Sequence, residues 1–125
     1  MPFLNPPSYL EEKINICCKK LNVDIFKGNR MSHLLSTNSN KGKAINALKK
    51  YSDIQNIQII GLGDSPNDLP LLLNSDIRIV IPNIDGPNLN LLNQLKDKEF
   101  IVASEPNGHG WKKEITKLLK KLELI

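Results

Sequence analysis

The chain has little cysteine, few aromatic residues and no long apolar run, and each shortage removes a class of explanation. Its two cysteines, Cys17 and Cys18, are neighbours, so a bridge between them would be badly strained, and neither has a metal ligand's spacing. They are expected at core or boundary positions of a reduced, cytoplasmic protein. No stretch approaches the roughly 18 apolar residues of a membrane span. The start, Met1 to Pro7, has neither a basic segment nor an apolar run of signal-peptide length, so a soluble chain without a membrane partner is expected. A net charge of +4 admits anionic partners. The lysines are scattered, often in pairs such as Lys19-Lys20, Lys49-Lys50 and Lys112-Lys113, without interleaved aromatics, and no nucleic-acid surface is expected.

At 125 residues, 40% of them hydrophobic, there is enough for an ordinary core. Leu10, Ile14, Cys17, Cys18 and Leu21 recur at helical spacing and predict an amphipathic helix. Val23 to Phe26 and Met31 to Leu35 read as two strands joined by a turn at Lys27-Gly28-Asn29-Arg30. After the polar stretch Ser36 to Asn40 the pattern changes to alternating helix and strand. Ala44, Ile45 and Leu48 mark a helix, Ile57 to Ile60 a strand, Leu69 to Leu73 a helix, and Ile77 to Ile81 a strand ended by Pro82. Ile84 to Leu95 is mixed, Phe100 to Ala103 is a strand, and Trp111, Ile115, Leu118, Leu119 and Leu122 define a closing helix. This order predicts a parallel α/β sheet preceded by part of a smaller α+β element, divided near Asn38 to Asn40.

Gly61-Leu62-Gly63-Asp64-Ser65-Pro66-Asn67-Asp68 carries the most chemistry, because it places two acids at a strand-to-helix corner. Ligands collect beyond the carboxyl ends of strands in parallel sheets, where side chains converge and helix N-termini favour anions. Asp64 offers the hard carboxylate oxygen that Mg²⁺ takes beside substrate and water. Asp68, one turn on, could hold a metal-bound water or pair with a lysine, and Asn67 could orient phosphate or lysine through its amide. Ser65 to Asp68 also scans as a capping box, with Ser65 as N-cap, Pro66 at the first helical position and Asp68 reaching back. Both readings stand on the residues alone. Lys41 opens a helix where the dipole disfavours a cation. Its ammonium suits a bound phosphate, although a solvated lysine explains it as well.

Lys41-Gly42-Lys43-Ala44 followed by Gly63-Asp64-Ser65-Pro66-Asn67-Asp68-Leu69-Pro70 resembles the third and fourth motifs of haloacid dehalogenase-type phosphatases. The form with proline inside the acidic motif is similar to that of mannosyl-3-phosphoglycerate phosphatases. Val80-Ile81-Pro82 and Gly110-Trp111 carry the resemblance toward the C-terminus. Gly28-Asn29-Arg30, before Ser32-His33-Leu34, is similar to the cap segment where Gly-Gly-Arg usually stands.

The resemblance implies an α/β fold: a partial Rossmann-like core over residues 39–125, preceded by the end of an α+β cap over residues 1–38. It implies Mg²⁺ as cofactor, Asp64 as its ligand, and catalytic roles for Lys41 at the phosphate and Asp68 beside it. Asn67 and Ser65 would contact phosphate or support those groups, and Arg30 and His33 would face the sugar or glycerate from the cap. A strand-end arginine and an ordinary surface or packed histidine are the plain alternatives for the last two. Gly108-His109-Gly110 reads either as a loop near the site or as a turn into the last helix.

Two departures from the pattern matter. Asn40 stands where aspartate is usual before the lysine, and no Asp-x-Asp occurs anywhere in the sequence. In the family the first aspartate of that motif attacks phosphorus and the second protonates the leaving oxygen. The chain therefore reads as the C-terminal part of a phosphatase, beginning inside its cap and inactive alone. The implied substrate of the complete enzyme is mannosyl-3-phosphoglycerate, with the glucosyl compound or another sugar phosphate as alternatives. The rival reading is a non-catalytic anion-binding module that pairs with a separately encoded N-terminal half.

Overall fold

The computed structural model describes residues 1–28, 30–51 and 57–125. Two three-stranded sheets organise them. The first is built from β1 (Pro2–Leu4), β2 (Val23–Lys27) and β3 (Met31–Ser36) in the order β1-β3-β2, all antiparallel, with α1 (Ser8–Lys20) packed against β2. Proline-rich character hides β1 in the sequence. Pro2 sits at its first position, and β1 lies at the sheet margin, where a missing N–H is tolerated. Asn5 then anchors the segment: its Oδ1 accepts from the Ser32 hydroxyl at 2.7 Å and its Nδ2 donates to the Gly28 carbonyl at 3.1 Å. The expected turn between β2 and β3 includes Asn29, which lies outside the described residues. Of the cysteine pair on α1, Cys18 is buried and Cys17 exposed, as a helix's rotation between neighbours requires.

The rest of the chain alternates strand and helix. In order come α2 (Lys41–Tyr51), β4 (Ile60–Gly63), a 3-10 turn (Pro66–Asp68), α3 (Leu69–Leu73), β5 (Ile77–Val80), α4 (Leu89–Leu95), β6 (Ile101–Val102) and α5 (Asn107–Lys121). The strands form a parallel sheet in the order β4-β5-β6. On one side Leu72, Val80, Leu91 and Leu95 are fully buried, and on the other Ile79, Ile81 and Ala103 pack with Leu62 and Ile115. A parallel sheet covered on both faces buries near-continuous apolar strands, which accounts for the Ile-rich run of β5.

Three expectations need correction. The strand read at Ile57 to Ile60 lies three residues later, because Asp76 Oδ2 accepts from the Ile59 N–H at 2.8 Å while the Asp76 and Ile77 N–H groups both donate to the Ile59 carbonyl. Those bonds end at Ile59, and the regular ladder opens at Ile60 opposite Ile77. The mixed stretch resolves into a helix, α4, whose N-cap Asn88 accepts from the Leu91 N–H at 3.1 Å. Trp111 is half exposed, whereas Glu114, one turn along α5, is buried and accepts from Lys117 Nζ at 2.7 Å.

Candidate functional site

The two acids stand where β4 delivers them. Asp64 follows the last residue of β4, and Asp68 ends the 3-10 turn immediately after it. The turn begins as a capping pattern suggests, with Ser65 extended and Pro66 first, but the Ser65 side chain makes no cap hydrogen bond. Its hydroxyl instead donates to Asn67 Oδ1 at 2.5 Å. Asp68 does reach back, but to Asp64: its Oδ2 accepts from the Asp64 N–H at 3.1 Å. Gly63 makes this possible, since a Cβ built there would stand 2.5 Å from Asp68 Cβ.

Lys41 arrives from α2. Asn40 caps that helix, its side-chain oxygen accepting from the Lys43 N–H at 2.9 Å, so the amide in place of the usual carboxylate still serves as a cap. Gly42 lets α2 approach α3 closely, because a Cβ there would run into the Pro70 carbonyl. The Lys41 ammonium then donates to Asp68 Oδ1. Asp68 is therefore fully engaged, one oxygen on a lysine and the other on a backbone N–H, with its side chain only 8% exposed. Of the two partners suggested for Lys41 by sequence, the structure selects the carboxylate of Asp68, while Asn67 turns to Ser65.

Asp64 is in a different state. Burial first, and the neighbouring Asp68 carboxylate second, push its pKa above the ordinary carboxylate value, with the Ser65 hydroxyl pulling the other way. A nearby cation would stabilise the ionised form and so oppose this shift. Asp64 thus suits one corner of a Mg²⁺ ion, which takes one or two carboxylates and keeps several waters. Among the described residues no group of three potential His, Cys, Asp or Glu ligands converges, so Asp64 would be joined by substrate, water or donors from elsewhere.

Two clefts meet at this corner. The smaller, about 350 Å³, is lined by Asp64, Asp68, Leu62, Gly108 and Trp111 among others. The larger, about 660 Å³, runs between the two sheets and brings Arg30 and His33 to the same space as Asp64, Ser65 and Asn67. The residues that sequence singled out thus share one corner, whatever each does there. Sequence reasoning passed over Asn83, Ile84, Asp85 and Asn107, which line the larger cleft. The strand-end rule that singled out Asp64 points equally to the Pro82–Gly86 turn after β5 and would have found three of them.

No helix among the described residues is long and apolar enough to cross a membrane. The chain is 34% identical over 110 residues to a glucosyl-3-phosphoglycerate/mannosyl-3-phosphoglycerate phosphatase of Persephonella marina, covering 84% of this chain and 39% of that protein. A protein of the same description from Methanococcoides burtonii is 33% identical over 123 residues, covering 90% of this chain and 43% of the relative. The chain therefore spans about two fifths of the length of these curated relatives. In fold it is similar to the sucrose-phosphatase of Synechocystis sp. PCC6803, solved with sucrose and phosphate, at a TM-score of 0.71 and 20% identity over 93% of this chain and 50% of that one. Residues 4–87 match the haloacid dehalogenase-like hydrolases; the matched span crosses both sheets and takes in Lys41, Asp64 and Asp68, and on that ground the chain belongs to the haloacid dehalogenase-like hydrolase family.

Proposed function

We propose that this chain carries the lysine and metal-binding part of a Mg²⁺-dependent phosphatase that hydrolyses the phosphomonoester of a glycosyl-3-phosphoglycerate, with mannosyl-3-phosphoglycerate as first candidate. The observation that carries the reading is the bridging of Asp68 between Lys41 and the Asp64 backbone at the mouth of two clefts. That bridge holds an ammonium and a carboxylate at fixed places on the strand-end rim. Lys41 would neutralise phosphoryl oxygens as charge builds on them, and Asp68 would keep the ammonium from swinging into solvent. Asp64 would hold Mg²⁺, which when bound supplies Lewis-acid charge to the phosphate. The glycosyl phosphoglycerate is favoured by two relatives with that printed activity, each about a third identical across most of this chain.

No Asp-x-Asp occurs in these 125 residues, so the attacking carboxylate would come from polypeptide outside this sequence. The test joins this chain to the N-terminal portion of the Persephonella marina relative and measures phosphate release. Mg²⁺-dependent hydrolysis of mannosyl- or glucosyl-3-phosphoglycerate by the joined protein, and none by this chain alone, is the expected result. Turnover that is absent from a folded joined protein, or indifferent to Lys41→Ala, would remove the reading.

A further inference from the structure

The larger cleft contains one element that the phosphate chemistry does not use, the turn after β5. Asn83 and Gly86 close it with reciprocal backbone hydrogen bonds, N–H to carbonyl, each of 3.0 Å, and Gly86 has a φ of +106°. The backbone therefore holds the turn without help from its tip. The tip side chains are Ile84 and Asp85, and both line the cleft. Ile84 is 84% exposed, more than any other large hydrophobic side chain among the described residues. Asp85 is exposed and has no hydrogen bond or ion pair among the described residues. Neither side chain packs into the core or pairs with another group among the described residues, yet the hydrogen-bonded turn places both at the lining of the same cleft.

We infer that the Asn83–Gly86 turn is the sugar-reading element of this site, with Asp85 accepting hydrogen bonds from the sugar's hydroxyls and Ile84 covering an apolar face of the ring. The inference rests on the proposed function. Charge makes the choice: a carboxylate repels phosphate and glycerate carboxylate alike, so the substrate part that faces Asp85 must be neutral. In a glycosyl phosphoglycerate only the sugar is neutral. A pyranose offers a rim of hydroxyl donors and patches of C–H surface, which match an acceptor beside an exposed isoleucine. Met31, 39% exposed on β3, lines the cleft as well and offers a second apolar contact. The cation on the cap side, Arg30, is then left for the glycerate carboxylate. A volume of about 660 Å³ is ample for a ligand of this size.

The test is a titration of the ¹⁵N-labelled chain, followed by amide NMR, with mannosyl-3-phosphoglycerate and separately with 3-phosphoglycerate. The unmodified chain should bind the glycosylated ligand more tightly, and the amides of Ile84, Asp85 and Gly86 should shift with that ligand alone. Asp85→Ala and Ile84→Ser should each weaken the glycosylated ligand, the first by roughly tenfold or more, without weakening 3-phosphoglycerate. The spectra report directly whether each variant keeps the fold. Equal affinity of the unmodified chain for the two ligands, or variants that keep the preference or weaken both ligands alike, would overturn the inference while leaving the proposed function standing. If the unmodified chain binds neither ligand, the inference falls, while turnover of the joined protein decides the proposed function separately.

Discussion

Gly63 and Asp68 are packed so closely that a methyl group on the glycine would lie 2.5 Å from Asp68 Cβ and 3.1 Å from its carboxyl carbon. The glycine at the end of β4 thus decides where the Asp68 carboxylate sits, and with it where Lys41 is held. Gly63→Ala should force Asp68 out of place and destabilise the fold by about 1–3 kcal/mol, the usual range for overpacking. Urea denaturation gives that number. The same variant, inserted in a joined enzyme that retains its fold, should lose most of its turnover, because the lysine would no longer be anchored.

Asp64 makes the opposite kind of prediction. Burial and the adjacent Asp68 charge disfavour its ionised form, so the carboxylate weighs against the folded state in metal-free buffer at neutral pH. Asp64→Asn should be more stable than the unmodified chain there. The gain should stay below about 1 kcal/mol, since solvent reaches much of the group and screens the repulsion. Millimolar Mg²⁺ should raise the melting temperature of the unmodified chain and leave the variant's unchanged. An equal Mg²⁺ response in both proteins would take the metal away from Asp64.

The pH dependence of stability should be visible at Asp76. The Ile59 N–H, and after it Lys49, hold this carboxylate below its usual pKa. A lowered folded-state pKa contributes stability that is present above the unfolded value and is lost as pH falls through the folded one. Asp76→Ala should therefore lower the urea midpoint at pH 7, and the difference should shrink as pH falls below the ordinary aspartate range and close once the folded carboxyl is protonated. Because Asp76 fixes where the β4 ladder starts, amide exchange at Ile59 should quicken in the same variant.

How much of this was legible in sequence follows from how local each signal is. The α/β class, α1, α3, α5 and the corner at Asp64 came from periodicity and strand-end chemistry, which need only neighbouring residues. β1 escaped because three residues that begin with a proline carry no period, and its partner β3 lies roughly thirty positions away. The start of β4 was misplaced because Asp76, seventeen positions away, takes the Ile59 N–H. Capping and function proved not to be alternatives at Ser65 to Asp68: the segment does start a helical turn, but its side chains serve one another and Lys41. Ile84 and Asp85 carried no signal because their significance lies in what the fold leaves them free to touch.

The pairing of Lys41 with Asp68 separates a structural ion pair from one that serves chemistry. A surface pair would contribute little, but here the carboxylate is buried while the ammonium is 56% exposed. Lys41→Met would leave a buried carboxylate holding a single backbone N–H, and a loss of about 1–2 kcal/mol is expected in urea denaturation. Asp68→Asn keeps an acceptor for the Asp64 N–H and removes a like charge from beside Asp64. It should change stability less than Lys41→Met does. In the double variant the two effects should not add, because neutralising Asp68 removes the buried charge that Lys41→Met leaves without its partner. Turnover in a joined enzyme should follow a different order. Lys41→Met removes charge that strengthens as the transition state forms, so kcat should fall by roughly a hundredfold or more with a much smaller change in KM. Asp68→Asn leaves the ammonium in place but less firmly held, so its kcat should fall by a smaller factor. A kcat that follows stability across the three variants, rather than the presence of the ammonium, would make the pair structural and deny Lys41 its place at the phosphate.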